Sequence, residues 1–129
     1  MIEIYTDGAC SKNPGPGGWG VYIIIGKEEI KISGNDPETT NNKMEMTATI
    51  EALKYFKESK KIKLYTDSNY IYKGINEWID GWKKRDWKTA GKKPVKNKEL
   101  WIELDKLNDF HTVKWFHVPA HSGIEGNEI

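Results

Sequence analysis

The segment IYTDG at residues 4–8 returns almost unchanged as LYTDS at residues 64–68. Each copy runs an alternating apolar stretch into Tyr-Thr-Asp and then a small residue, so each reads as a strand that ends on a carboxylate. An antiparallel excursion and a helix separate the two copies, which lets them lie side by side and parallel in a mixed sheet. Asp7 and Asp67 then meet at the carboxyl ends of neighbouring strands, where open α/β sheets build their sites. Singly, Asp-Gly and Asp-Ser are ordinary turn or cap signals. It is the repeat that sets these two apart.

The remaining pattern supplies the rest of such a sheet. Residues 2–6 place Ile2, Ile4 and Thr6 on one face and Glu3 and Tyr5 on the other. SKNPGPGGWG reads as a turn-rich loop, and VYIII and IKIS as two strands joined by the turn-like GKEE. GNDPETTNN is expected to break regular structure before a helix over about residues 43–58, in which Met46, Ile50 and Leu53 repeat at helical spacing and Ala48 and Ala52 widen the apolar face. KIKLYT is a fourth strand and SNYIYKG a short helix. Ile75, Trp78, Ile79 and Trp82 form a helical stripe, KELWIELDKL an amphipathic helix, and HTVKWFHV a last strand with His111 and His117 in structural roles. PAHSGIEGNEI is loop-like. The fold class is α/β, a mixed five-stranded sheet flanked by helices.

A chain of 129 residues fits one domain with a real core, and 37% hydrophobic with 30% charged residues describes a folded, water-soluble protein. With no apolar run of spanning or signal-peptide length and a single cysteine, Cys10, the expectation is a cytoplasmic monomer with no membrane partner. The net charge of +1 conceals a segregation. Residues 83–98, KKRDWKTAGKKPVKNK, hold eight of the 20 basic residues and one of the 19 acidic ones, leaving 12 basic against 18 acidic elsewhere. Trp82 and Trp87 stand around Lys83, Lys84, Arg85 and Lys88, an arrangement that pairs phosphates with cations and sugars or bases with rings. A solvated basic face is the plainer alternative. Trp78 and Trp82 suit packing, whereas Trp87 and the lysines suit binding.

Asp7, Glu45 and Asp67 are the candidate metal ligands. Glu45 lies near the start of the long helix, whose first turns reach the strand ends if the helix begins above them. Three carboxylates in one place repel one another unless a divalent cation sits between them, and oxygen-only ligation suits Mg²⁺ or Mn²⁺. Asn42 followed by Glu45 also has capping-box spacing.

YTDGACSKNPGPGGWG, TTNNKMEMTA, YTDSNY, WIDGWKKRDWKTAGKKPVKNKELW and VPAHSGIEGNE together resemble the successive motifs of bacterial type 1 ribonuclease H, in order and over nearly the whole chain. The resemblance implies a single ribonuclease H domain over residues 1–129, with a basic handle at about residues 75–98 that holds substrate. It implies endonucleolytic hydrolysis of the RNA strand in RNA/DNA hybrids by two-metal catalysis, with Mg²⁺ on Asp7, Glu45 and Asp67 and Mn²⁺ as a substitute. His121 matches the family's catalytic histidine, and a loop histidine can relay a proton or help product leave. Cys10, Asn13, Thr40, Asn41, Asn42 and Asn69 match positions near the RNA strand or a DNA phosphate, beside Trp82, Lys83, Lys84, Trp87 and Lys88. Family members also carry an Asp beyond the GNEI-like segment, at the start of a final helix. No Asp follows His121. The expectation is a shortened form without that helix and with reduced or no activity, or alternatively a hybrid-binding module with impaired catalysis.

Overall fold

The two Tyr-Thr-Asp segments lie side by side. In the computed structural model, which describes residues 2–119, they belong to β1 (Ile2–Cys10) and β4 (Lys61–Thr66), paired in parallel with Tyr5 opposite Tyr65 and Thr6 opposite Thr66. Around them run β2 (Gly15–Ile25), β3 (Glu28–Thr39) and β5 (Thr112–His117), in the sheet order β3-β2-β1-β4-β5. The β1–β2 and β2–β3 pairs are antiparallel and β4–β5 is parallel. The helices are α1 (Asn41–Lys54), α2 (Asn69–Lys73), α3 (Ile79–Lys84) and α4 (Lys98–Phe110), with a π-helical turn (Gly74–Trp78) between α2 and α3.

The apolar alternation explains which side of the sheet is covered. Ile4, Ile23, Ile62 and Leu64 are buried with Met46, Ala48, Ile50 and Leu53 of α1, the helical face expected from their spacing. On the opposite side an aromatic row crosses four strands: Tyr22 to Tyr5 at 6.2 Å between ring centroids, Tyr5 to Tyr65 at 4.7 Å, and Tyr65 to Phe116 at 5.0 Å. No helix among the described residues is long and apolar enough to cross a membrane.

Two stretches expected to be irregular are in large part strand. β1 continues to Cys10, β2 begins at Gly15, and β3 extends through GNDPET to Thr39. The proline signals misled because the register slips between Gly15 and Gly17, with Gly15 opposite Thr39 but Gly17 opposite Asp36. Pro16 and Pro37 fall in that slip on the edge strand and its neighbour, where a missing N–H breaks no ladder bond. Gly34 leaves room for the Trp19 ring, three atoms of which would lie 2.6 Å from an added Cβ.

α1 begins two residues earlier than expected and stops at Lys54, short of residue 58. Its N-cap is Thr40, whose hydroxyl accepts the Lys43 N–H at 3.2 Å, so the Asn42–Glu45 capping box does not form. Near the other end a distant residue intervenes. The buried His111 ring donates from Nε2 to the Leu53 carbonyl at 2.9 Å and accepts the Lys60 N–H on Nδ1 at 3.0 Å. Because Lys60 N–H can only donate, the proton resides on Nε2. One helix-terminal carbonyl is thereby satisfied, and the chain turns into β4.

The basic stretch leaves α3 through Asp86 and Trp87, both at positive φ. It is held by Trp87 N–H to Trp82 carbonyl at 2.7 Å and by Val95 N–H to Trp87 carbonyl at 3.1 Å, then returns to α4.

Candidate active site

β1 carries Asp7, β4 leads directly into Asp67, and the second turn of α1 carries Glu45. Gly8 permits the approach: a Cβ there would run into the backbone of Met44 and Glu45, 2.7 Å from the Met44 carbonyl oxygen. The helix therefore starts directly over the strand end, and one ligand oxygen from each of Asp7, Glu45 and Asp67 lies within 4.8 Å of the others. Ser68 sets the turn after Asp67. It is buried, donates its N–H to Thr66 Oγ1 at 3.1 Å and accepts the Ile71 N–H at 3.2 Å as the N-cap of α2. Sequence reasoning passed over Gly8 and Ser68; the small residue after each Tyr-Thr-Asp was the available signal.

The electrostatics of the cluster follow from its burial. Glu45 is 9% exposed. Burial, then the charge and hydrogen bond of Asp67, then the charge of Asp7, push its carboxyl up to about 9, while the Gly8 N–H acts in the opposite sense. Glu45 Oε1 and Asp67 Oδ1 are buried without a hydrogen-bond partner. Acceptor oxygens left unpaired beside like charges call for a cation, and the all-carboxylate donor set fits a hard divalent ion.

The cluster opens on a cleft of about 460 Å³ whose walls include Asn41, Asn42, Asn69 and Tyr70. Cys10 and Asn13 stand beside it through a clasp: Asn41 Oδ1 accepts the Cys10 N–H at 2.7 Å, and Asn13 Oδ1 accepts the Asn41 N–H at 3.0 Å. Thr40 is engaged as the α1 cap. In the basic region, Trp82 lies 5.8 Å from Trp78, 5.4 Å from Trp101 and 6.5 Å from Trp87, so Trp87 joins a packed tryptophan row and is half-buried. Lys84 and Lys88 are exposed. Lys83 pairs with Asp105 of α4 at 3.3 Å, and that hydrogen bond and charge raise the lysine above its ordinary value. His121, and the segment in which a fourth acidic ligand was sought, lie outside the described residues.

A mixed sheet with a cation-ready carboxylate cluster at the ends of its central parallel pair defines a hydrolase-type α/β protein with the donor set for phosphate-ester chemistry. The chain belongs to the ribonuclease H family, whose sequence model, RNase H, matches residues 1–129. It is 58% identical over 122 residues to ribonuclease H of Ehrlichia canis, covering 95% of this chain and 84% of that protein. It is 54% identical over 127 residues to ribonuclease H of Cupriavidus necator, covering 98% and 88%. Among solved structures it resembles LC9-RNase H1, a type 1 RNase H with the type 2 active-site motif, at a TM-score of 0.87 and 30% identity, over 98% of this chain and 66% of that one. It also resembles LC11-RNase H1, solved in complex with RNA/DNA hybrid, at a TM-score of 0.76 and 25% identity, over 99% and 92%. The protein is accordingly a hydrolase, an endoribonuclease of a family that uses divalent metal.

Proposed function

We propose that this chain hydrolyses the RNA strand of RNA/DNA hybrids endonucleolytically, leaving 3′-hydroxyl and 5′-phosphate ends, as a single ribonuclease H domain acting as a cytoplasmic monomer. The observation that carries the reading is the convergence of Asp7, Glu45 and Asp67 within 4.8 Å, with buried unpartnered oxygens on two of them. These three residues hold Mg²⁺, for which Mn²⁺ can substitute. When bound there, the metal would supply charge neutralisation at the scissile phosphate, the chemistry of two-metal catalysis.

The protein's own groups supply position. Asn41, Asn42 and Asn69 face the cleft and offer amide groups to the sugar edge of the RNA strand, where the 2′-hydroxyl both donates and accepts. Asn13 and Thr40 hold the neighbouring DNA phosphate, and Cys10 supports the RNA side of the cluster through its N–H bond to Asn41. His121 moves a proton or aids product release. The basic handle at about residues 75–98 seats the duplex, with Trp82 and Trp87 as its ring-bearing wall and Lys84 and Lys88 on phosphates. Lys83 adds charge while shared with Asp105. The hybrid in the LC11-RNase H1 complex supports this choice of substrate.

The direct test uses an end-labelled RNA/DNA hybrid and the same RNA single-stranded, each in Mg²⁺, Mn²⁺ or EDTA. Cleavage confined to the hybrid and abolished by EDTA is expected; binding without cleavage would instead favour a hybrid-binding module. For the handle, Lys84→Gln with Lys88→Gln is expected to weaken hybrid binding and reduce the slope of log K against log salt by up to about 2, since each phosphate contact contributes roughly 0.9. An unchanged slope in fluorescence-anisotropy titrations would return both lysines to a solvated face.

A further inference from the structure

Tyr70 lines the carboxylate cleft one residue after Asn69, yet its hydroxyl points at the other functional region. It accepts the indole N–H of Trp101 at 3.0 Å and the side-chain N–H of Asn97 at 3.2 Å. Asn97 is the left-handed residue that closes the basic stretch and precedes α4, and its side chain makes no cap hydrogen bond with the helix. Trp101 is fully buried, pressed by the Gly74 backbone, where no Cβ would fit. Its ring lies 5.4 Å from Trp82 and 5.2 Å from Tyr70, and the Tyr70 ring also meets Trp78 edge-on at 5.8 Å. One phenol thus holds the exit of the basic stretch through Asn97 and its tryptophan row through Trp101 and Trp78. The same residue forms part of the cleft wall beside Asp67.

We propose that Tyr70 is a positioning residue that sets the orientation of the basic segment relative to the carboxylate cluster, so that a duplex held by one is in register with the other. This rests on the reading of the basic segment as a hybrid-holding element. The isosteric Tyr70→Phe keeps the ring stacking but leaves two donors, one of them fully buried, without their shared acceptor. The segment then loses the bonds that tie its exit to the cleft. A duplex long enough to touch both regions is bound less well, whereas one confined to the cleft is not affected.

The test measures steady-state kinetics on hybrids of increasing length for the parent, Tyr70→Phe, Asn97→Ala and the Lys84→Gln/Lys88→Gln pair, with thermal melts of each. For Tyr70→Phe, KM on long hybrids is expected to rise about 5- to 10-fold, within the range that loss of two modest hydrogen bonds allows. On the same hybrids kcat stays within about twofold, as removal of ground-state binding requires. The shortest cleavable hybrid keeps its parental kcat/KM. Asn97→Ala, which removes one bond and retains the Trp101 contact, should show a smaller change in the same direction. If the lysine pair loses affinity for long hybrids while Tyr70→Phe and Asn97→Ala follow the parent at every length, the proposal is wrong. Equal losses at all lengths, tracking the melting temperature, would also overturn it by assigning Tyr70 a purely structural role. If the lysine pair shows no length-dependent loss, it is the underlying reading of the basic segment that fails.

Discussion

Asp67→Asn is expected to lower hybrid cleavage by at least about 10²- to 10³-fold, the cost of removing one preorganised electrostatic partner from a reacting centre, while making the metal-free protein more stable. Asn keeps the shape and one acceptor oxygen but removes a charge from a cluster whose ligand oxygens lie within 4.8 Å of one another. Cation affinity falls, and with it the positioning of the scissile phosphate. In EDTA at about pH 9 and above, where Glu45 ionises, the same change removes the leading charge acting on its buried carboxyl. Each kcal/mol of relieved repulsion should raise the melting temperature by about 3–6 °C in a domain of this size. Single-turnover cleavage in Mg²⁺ and calorimetry in EDTA at that alkaline pH measure the two effects. Activity within tenfold of the parent would remove Asp67 from the ligand set, and a lower melting temperature would remove the account of repulsion.

The second large effect is on pH. An acid whose folded-state value is raised from 4.5 to about 9 keeps a proton in the native state that the unfolded chain gives up. Stability from Glu45 is therefore fully present below about pH 4.5 and is lost as pH rises toward 9, the reverse of a salt-bridged carboxylate. At about 1.4 kcal/mol per unit the ceiling is ~6 kcal/mol. Urea denaturation in EDTA should show the parent losing stability relative to Glu45→Gln between pH 5 and 9. Mg²⁺ should oppose that loss at the alkaline end, because a divalent ion takes the place of the proton and releases it. A parallel pH dependence for the two proteins would show that Glu45 is ionised throughout. Asp67→Asn and Glu45→Gln touch the same cluster, so their effects on stability should not add.

Asp7, Glu45 and Asp67 form one arrangement, and the sequence carried much of it. The repeated Tyr-Thr-Asp identified two parallel strands, because alternation of side chains is a property of each strand alone. The apolar spacing of Met46, Ile50 and Leu53 placed α1 on the sheet for the same local reason. Asp7, Glu45 and Asp67 could be picked out because two of them end the repeated strands and the third lies near the start of the helix between those strands. The Gly- and Pro-rich stretches were harder: Pro16 and Pro37 signal breaks locally, and only the slipped pairing of β2 with β3 shows that the strands continue through them.

Other features depend on residues far apart in the chain. His111 satisfies Leu53, 58 positions away, and Tyr70 accepts from Trp101, 31 positions away. Lys83, legible only as part of a basic run, meets Asp105 across a helix boundary. Sequence alone determined the order of elements, the core face of α1 and the identity of the acidic residues, since periodicity and side-chain chemistry act over a few neighbouring residues. Tertiary structure decided register, helix ends, which lysine is already paired and how the cleft is tied to the basic segment. Each of those depends on hydrogen bonds and close contacts that exist only once distant parts of the chain have packed together.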